Sequence, residues 1–204
     1  MSSVPADTKT VEKHEYRDDK FNLDFYPTLL APKEAAQLYS TLLKTVAWPR
    51  AFTPGKRCNQ TYGDSGVTYE IHWYNSDSVT KRVALPWLDC LLPIKQLLEA
   101  ITKQEYNICV VQYYPSGRVG IKRHRDSEMT PGTTISGISL GATRTLTMER
   151  RGINVSIPLL PGSLYVFNPP TNDYWMHSIE PDLAVKDPRI SLTFRNYKPD
   201  KKSL

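Results

Sequence analysis

Residues 187–197 read DPRISLTFRNY, and the architecture follows from which of these side chains turn inward. Successive residues of a strand point to opposite faces. Arg189, Ser191, Thr193 and Arg195 therefore share one face, and Ile190, Leu192 and Phe194 fill a core on the other. Working backwards, residues 107–114 (NICVVQYY) are rich in β-formers. Between these two stretches lie short segments at 134–140, 143–149, 153–157, 163–168 and 174–179. Pro131-Gly132, Gly141, Arg151-Gly152, Pro161-Gly162, Pro169-Pro170 and Asp187-Pro188 punctuate them as turns. Many short strands at close spacing predict a sandwich or barrel over residues 105–197.

Two helices are expected before these strands. The first starts at Pro32, carries Leu38, Leu42 and Val46 at helical spacing, and ends at Trp48-Pro49. The second starts near Pro86, and Pro93 should kink or divide it. Both should buttress one face of the sheet. Residues 1–20 are polar and without period, and read as a flexible arm; residues 21–204 read as one domain.

At 204 residues the chain suits a single domain with a full core. It carries no apolar run long enough to span a bilayer, and its first residues have no signal-peptide core. Its three cysteines lack C-x-x-C spacing, which argues against a disulfide framework or a thiolate zinc site. These features predict an intracellular protein with no membrane partner. The net charge of +5 and pI of about 9.0 lean towards a polyanion such as nucleic acid.

The chain has four histidines. His124 and Asp126 flank a single residue, so an extended backbone aims both at one point, and His177 ends a late strand. Two histidines and one carboxylate with open positions are the ligands of catalytic non-haem Fe(II). Alone, a His-x-Asp pair is equally compatible with the protein surface. Arg189 and Arg195 add weight, because an arginine inside a barrel requires an anion. That anion is either a carboxylate of the chain or a bound dicarboxylate, which Arg grips in a planar fork; the alternative is a solvent-facing pair of arginines on an edge strand.

Five stretches carry a resemblance: TYGDSGVTY (61–69), QYYPSGRVGIKRHRDSE (112–128), ISLGATRTL (138–146), PGSLYVFNPPTNDYWMHS (161–178) and RISLTFR (189–195). In this order they resemble the AlkB family of nucleic-acid demethylases, most closely the eukaryotic DNA-repair branch. The resemblance implies a mainly β, double-stranded β-helix (jelly-roll) barrel with the N-terminal helices beside it. It implies Fe(II) held by His124, Asp126 and His177. It implies 2-oxoglutarate held by Gln112, Tyr114, Arg189, Ser191, Thr193 and Arg195, with O2 as oxidant. A lid at 48–80 would grip nucleic acid, with Arg57, Tyr69, Ile71, His72, Trp73 and Glu128 as substrate contacts. The implied reaction removes N-methyl groups from 1-methyladenine or 3-methylcytosine in DNA, releasing formaldehyde, succinate and CO2. A monomer is expected, nuclear in a eukaryote and cytoplasmic otherwise.

Several positions depart from the family pattern. Gln112 and Ser191 stand where the family has Asn, Ser127 where it has an acidic residue, and Ile71 where it has a stacking aromatic. RNA demethylation or protein hydroxylation at the same iron site stays open on these grounds. So does a nucleic-acid-binding module without activity.

Overall fold

The computed structural model describes residues 11–48, 55–72, 79–126 and 130–197. The chain begins with β1 (His14–Asp18), β2 (Phe21–Tyr26) and α1 (Pro32–Thr45). Next come β3 (Cys58–Gly63), β4 (Thr68–His72), β5 (Val79–Val83), β6 (Leu85–Pro86) and α2 (Leu92–Thr102). The barrel follows as β7 (Ile108–Tyr114), β8 (Ile121–His124), β9 (Ile135–Gly141), β10 (Arg144–Arg150) and β11 (Ile153–Leu159). It closes with β12 (Leu164–Phe167), α3 (Thr171–Tyr174), β13 (Met176–Ile179) and β14 (Arg189–Arg195).

The large sheet has the order β1-β2-β12-β9-β14-β7-β3-β6, and the small one β11-β10-β13-β8. Strands β7, β9, β12 and β14 belong to the large sheet and β8, β10, β11 and β13 to the small one. A chain that crosses between two facing sheets in this way is a jelly roll. The β14 alternation appears as expected. Ile190, Leu192 and Phe194 are fully buried beneath α1 and α2, among Leu42, Leu98 and Ile138. Each such side chain contributes about 1.5–3 kcal/mol through removal from water. A second core between the sheets gathers Leu146, Met148, Ile157, Phe167 and Trp175. Gly137 of β9 faces the Tyr165 ring, where a Cβ would lie 2.0 Å from Cζ. Glycine there is what lets the ring lie flat inside the barrel.

Two expectations are corrected. Residues 14–18 are not part of a free arm: β1 pairs along its length with β2, and Lys13 and Arg17 both reach Asp24. Residues 1–10 lie outside the described residues. Pro93 neither kinks nor divides a helix, because α2 starts at Leu92 and takes Pro93 into its first turn, where no amide donor is needed. Within the expected lid, β3 is a strand of the large sheet, antiparallel to β7, while β4 and β5 form a separate hairpin.

Candidate active site

His124 ends β8 and lies directly opposite His177 of β13 in the antiparallel register. Their ring centroids are 4.2 Å apart. Asp126 follows β8 by two residues, and its Oδ1 is 3.7 Å from His124 Nε2. One ligand atom from each of the three residues lies within 4.8 Å of the others. The sequence-predicted set is thus brought together where β8 and β13 meet.

Asp126 is held from two directions. Arg195 Nη2 lies 3.1 Å from its Oδ2. Its backbone N–H donates to Asn172 Oδ1 at 3.0 Å, and its carbonyl accepts from Asn172 Nδ2 at 2.7 Å. Arg125 of the same turn donates to the Asp173 carbonyl at 2.6 Å. Helix α3 is anchored in turn, since Asn22 of β2 donates its N–H to Thr171 Oγ1 and accepts from it.

The electrostatics suit a metal. Burial works to raise the Asp126 carboxyl, but Arg195, His177 and His124 outweigh it and hold it below the usual carboxylate value. Burial lowers His177 to about 4, against the pull of Asp126. At neutral pH the ligands are therefore a carboxylate and a neutral imidazole, the forms that metal coordination requires. Among the described residues, His177 Nδ1 is buried without a hydrogen-bond partner.

Beside the triad, a narrow cavity enters the barrel. Gln112, Tyr114, Arg189, Ser191, Thr193 and Arg195 all line it, together with His124 and His177. Arg189 is 2% exposed. Its Nε donates to Ser139 Oγ at 2.9 Å and its Nη2 to Ser191 Oγ at 3.2 Å. Among the described residues its Nη1 is buried with no hydrogen-bond partner, and burial presses its pKa down. An unneutralised guanidinium donor in a buried wall is costly unless an anion completes it. The chemistry of this wall fits a carboxylate ligand that would complete Arg189. A larger hollow of about 290 Å³ lies against Asp126 beside residues 130–133 and 167–173. Neither Arg189 nor Arg195 lines it.

The remaining predicted residues fare differently. Tyr69 packs beside Ala84, Ile108 and Tyr197. The Arg57 guanidinium points to Gln112 rather than to solvent. The side chains of Ile71 and His72, together with Trp73, Ser127 and Glu128, lie outside the described residues. Three site residues were not anticipated. Tyr165 lines the cavity, and Asn172 clamps Asp126. Arg144, 2% exposed, donates to the Val119 carbonyl at 2.9 Å and the Glu180 carbonyl at 2.7 Å, tying the segment that leads into β8 to the segment that leaves β13. Its signal was present: Arg144 shares the inward phase of β10 with Leu146 and Met148.

The profile of the 2OG-Fe(II) oxygenase superfamily matches residues 22–195. The chain is 31% identical to mouse DNA oxidative demethylase ALKBH2, over 97% of its own length and 89% of that protein. Identity to the human ALKBH2 is 32%, over 83% of this chain and 71% of that one. Mouse alkB homolog 3, an alpha-ketoglutarate-dependent dioxygenase, is 28% identical over 86% of this chain and 66% of its own. Among solved structures, OsALKBH1 superposes with a TM-score of 0.60 at 12% identity, covering 91% of this chain and all of that one. A Pseudomonas putida prolyl-4-hydroxylase superposes at 0.56 with 17% identity, covering 88% and 95%. These two structures bear on the fold alone. The chain belongs to the 2OG-Fe(II) oxygenase superfamily and, within it, to the AlkB family, and it is a dioxygenase that uses Fe(II), 2-oxoglutarate and O2.

Proposed function

We propose that this dioxygenase is an oxidative demethylase of N-alkylated bases in DNA, acting on lesions such as 1-methyladenine and 3-methylcytosine. The observation that carries the reading is a cluster of three metal-ligand groups beside a cavity that also holds a buried arginine with a donor unpaired among the described residues. It occurs in a chain similar over most of its length to a DNA oxidative demethylase. The net charge of +5 suits a polyanionic substrate.

In this reading His124, Asp126 and His177 hold Fe(II). Arg189 and Tyr114 grip the distal carboxylate of 2-oxoglutarate, with Ser191 and Gln112 beside them. Arg195 and Thr193 line the wall nearer the metal, and Arg195 keeps Asp126 ionised. Bound iron, 2-oxoglutarate and O2 supply the oxidising chemistry: the cosubstrate becomes succinate and CO2, and the methyl group takes up one oxygen. The resulting N-hydroxymethyl base loses formaldehyde. The protein's own tasks are to orient both substrates and to exclude water. A base in a duplex must leave the stack, at a cost of a few kcal/mol. Tyr69, Ile71, His72, Trp73 and Glu128 are the proposed contacts to it. In a eukaryote, action on DNA would place the enzyme in the nucleus.

The test is incubation with Fe(II), 2-oxoglutarate, ascorbate and oligonucleotides carrying 1-methyladenine or 3-methylcytosine, read by mass spectrometry of the bases. Demethylation that depends on 2-oxoglutarate and is lost in His124→Ala supports the proposal. Conversion of 2-oxoglutarate to succinate without demethylation of any DNA oligonucleotide overturns it, and leaves RNA or a protein side chain as the substrate.

A further inference from the structure

Arg57 stands one residue before β3. That strand runs antiparallel to β7, with Cys58 opposite Tyr113 and Asn59 opposite Gln112. Continued by one residue, the register sets Arg57 against Tyr114. Cross-strand partners share a face, so Arg57 lies on the same face as Gln112 and Tyr114, behind the two residues that line the cosubstrate cavity. The contacts agree. Arg57 Nη1 donates to Gln112 Oε1 at 3.0 Å, and its guanidinium carbon lies 5.9 Å from the centre of the Tyr114 ring. Arg189 approaches the same ring at 5.1 Å.

The amide oxygen of Gln112 thus accepts twice, from Arg57 and from the Tyr114 hydroxyl at 2.9 Å. A tyrosine hydroxyl has one proton to donate. To bind a carboxylate, Tyr114 must turn that proton from Gln112 to the ligand. Gln112 is 8% exposed, so its oxygen would then be a buried acceptor in need of another donor. Arg57 already supplies one. The longer side chain of Gln112 is suited to this sharing, since its amide stands a methylene further from the strand than that of an asparagine.

We infer that Arg57 is a positioning residue of the 2-oxoglutarate site: by keeping Gln112 hydrogen-bonded, it frees the Tyr114 hydroxyl for the cosubstrate's distal carboxylate. This rests on the assignment of the cavity to 2-oxoglutarate and is independent of the prime substrate. It also assigns Arg57 to the cosubstrate rather than to a DNA phosphate.

The test measures binding, not turnover. Calorimetric titration of 2-oxoglutarate into the Mn(II)-loaded protein gives one affinity. Fluorescence anisotropy of an unmethylated single-stranded DNA oligonucleotide gives the other. Arg57→Met keeps the aliphatic stem and removes the donor. It is expected to weaken 2-oxoglutarate about tenfold, the cost of orphaning one buried acceptor, and to leave the oligonucleotide affinity within about twofold. Arg57→Lys, which retains a donor and the charge, should recover most of the loss. In a Gln112→Leu background, Arg57→Met should have little further effect on 2-oxoglutarate. Where Arg57→Met fails to fold, Arg57→Gln, too short to reach Gln112, replaces it with the same expectation. Unchanged 2-oxoglutarate affinity, or a loss confined to the oligonucleotide, overturns the inference. Arg189→Met separates the two levels: if it too leaves 2-oxoglutarate binding intact, the cavity assignment itself has failed.

Discussion

Replacing Asn172 by Ala should loosen Asp126, the proposed iron ligand, without touching a metal-binding atom. The Asn172 amide makes two hydrogen bonds to the Asp126 backbone, at 3.0 and 2.7 Å. Each is worth about 1 kcal/mol net, and a part-buried group left unpaired adds to the loss, so about 2–3 kcal/mol is expected. For a chain of this size each kcal/mol corresponds to about 2–4 °C in Tm, which predicts a fall of roughly 4–12 °C by scanning calorimetry. The informative quantity is the metal. Partners that orient a ligand typically contribute about 10–100-fold in metal affinity, and Mn(II) titration should show a loss in that range. Asn172→Asp retains the acceptor for the Asp126 N–H, loses the donor and adds a like charge. It should lie at or beyond the alanine variant in Mn(II) affinity. A variant with lowered Tm and Mn(II) affinity within twofold of wild type would refute the reasoning, since Asn172 would then brace the loop without placing the ligand.

Four further outcomes are expected. Arg189→Lys surrenders the guanidinium fork and should weaken 2-oxoglutarate by about 10–100-fold in calorimetry, with Mn(II) affinity little changed. For pH, His177 has its folded pKa lowered from 6.5 to about 4. Between these values the unfolded chain binds a proton that the folded one does not. Stability therefore falls as pH drops from 6.5 towards 4, by about 2 kcal/mol at pH 5 in metal-free urea unfolding, and His177→Gln should flatten that slope. Gly137→Ala must displace the buried Tyr165 ring into the cavity; a loss of about 1–3 kcal/mol in stability and a raised KM for 2-oxoglutarate should accompany it. Burial pushes the Cys109 thiol well above its ordinary value. Iodoacetamide should therefore leave Cys109 unmodified in the native protein and label it only after unfolding, read by peptide mass spectrometry.

How much of this was legible in the sequence depended on whether a local pattern carried the information. The two faces of β14 differ so sharply in chemistry that alternation alone sorted Arg189, Ser191, Thr193 and Arg195 from Ile190, Leu192 and Phe194, and the structure keeps that division. The pairing of His124 with Asp126 was legible for the same reason, and His177 because few histidines compete with it. Strand β1 was not: HEYRD has no apolar face, and it is a strand because β2 offers it an edge and Asp24 gathers its cations. The clamp of Asn172 on Asp126 spans 46 residues and leaves no periodic trace.

Arg57 shows the limit most clearly. Its basic character pointed to a phosphate, yet its direction is set by the register of β3 on β7, a pairing between distant segments that no local pattern encodes. Alternation reports which side chains face inward. It does not report which of them share one hydrogen-bond acceptor, and that sharing between Arg57 and Tyr114 at Gln112 is what ties a residue of the expected lid to the cosubstrate. Where the site's chemistry depends on such sharing, a substitution such as Asn to Gln two residues before Tyr114 is more than a change of length: it moves the acceptor and changes which donors can meet it.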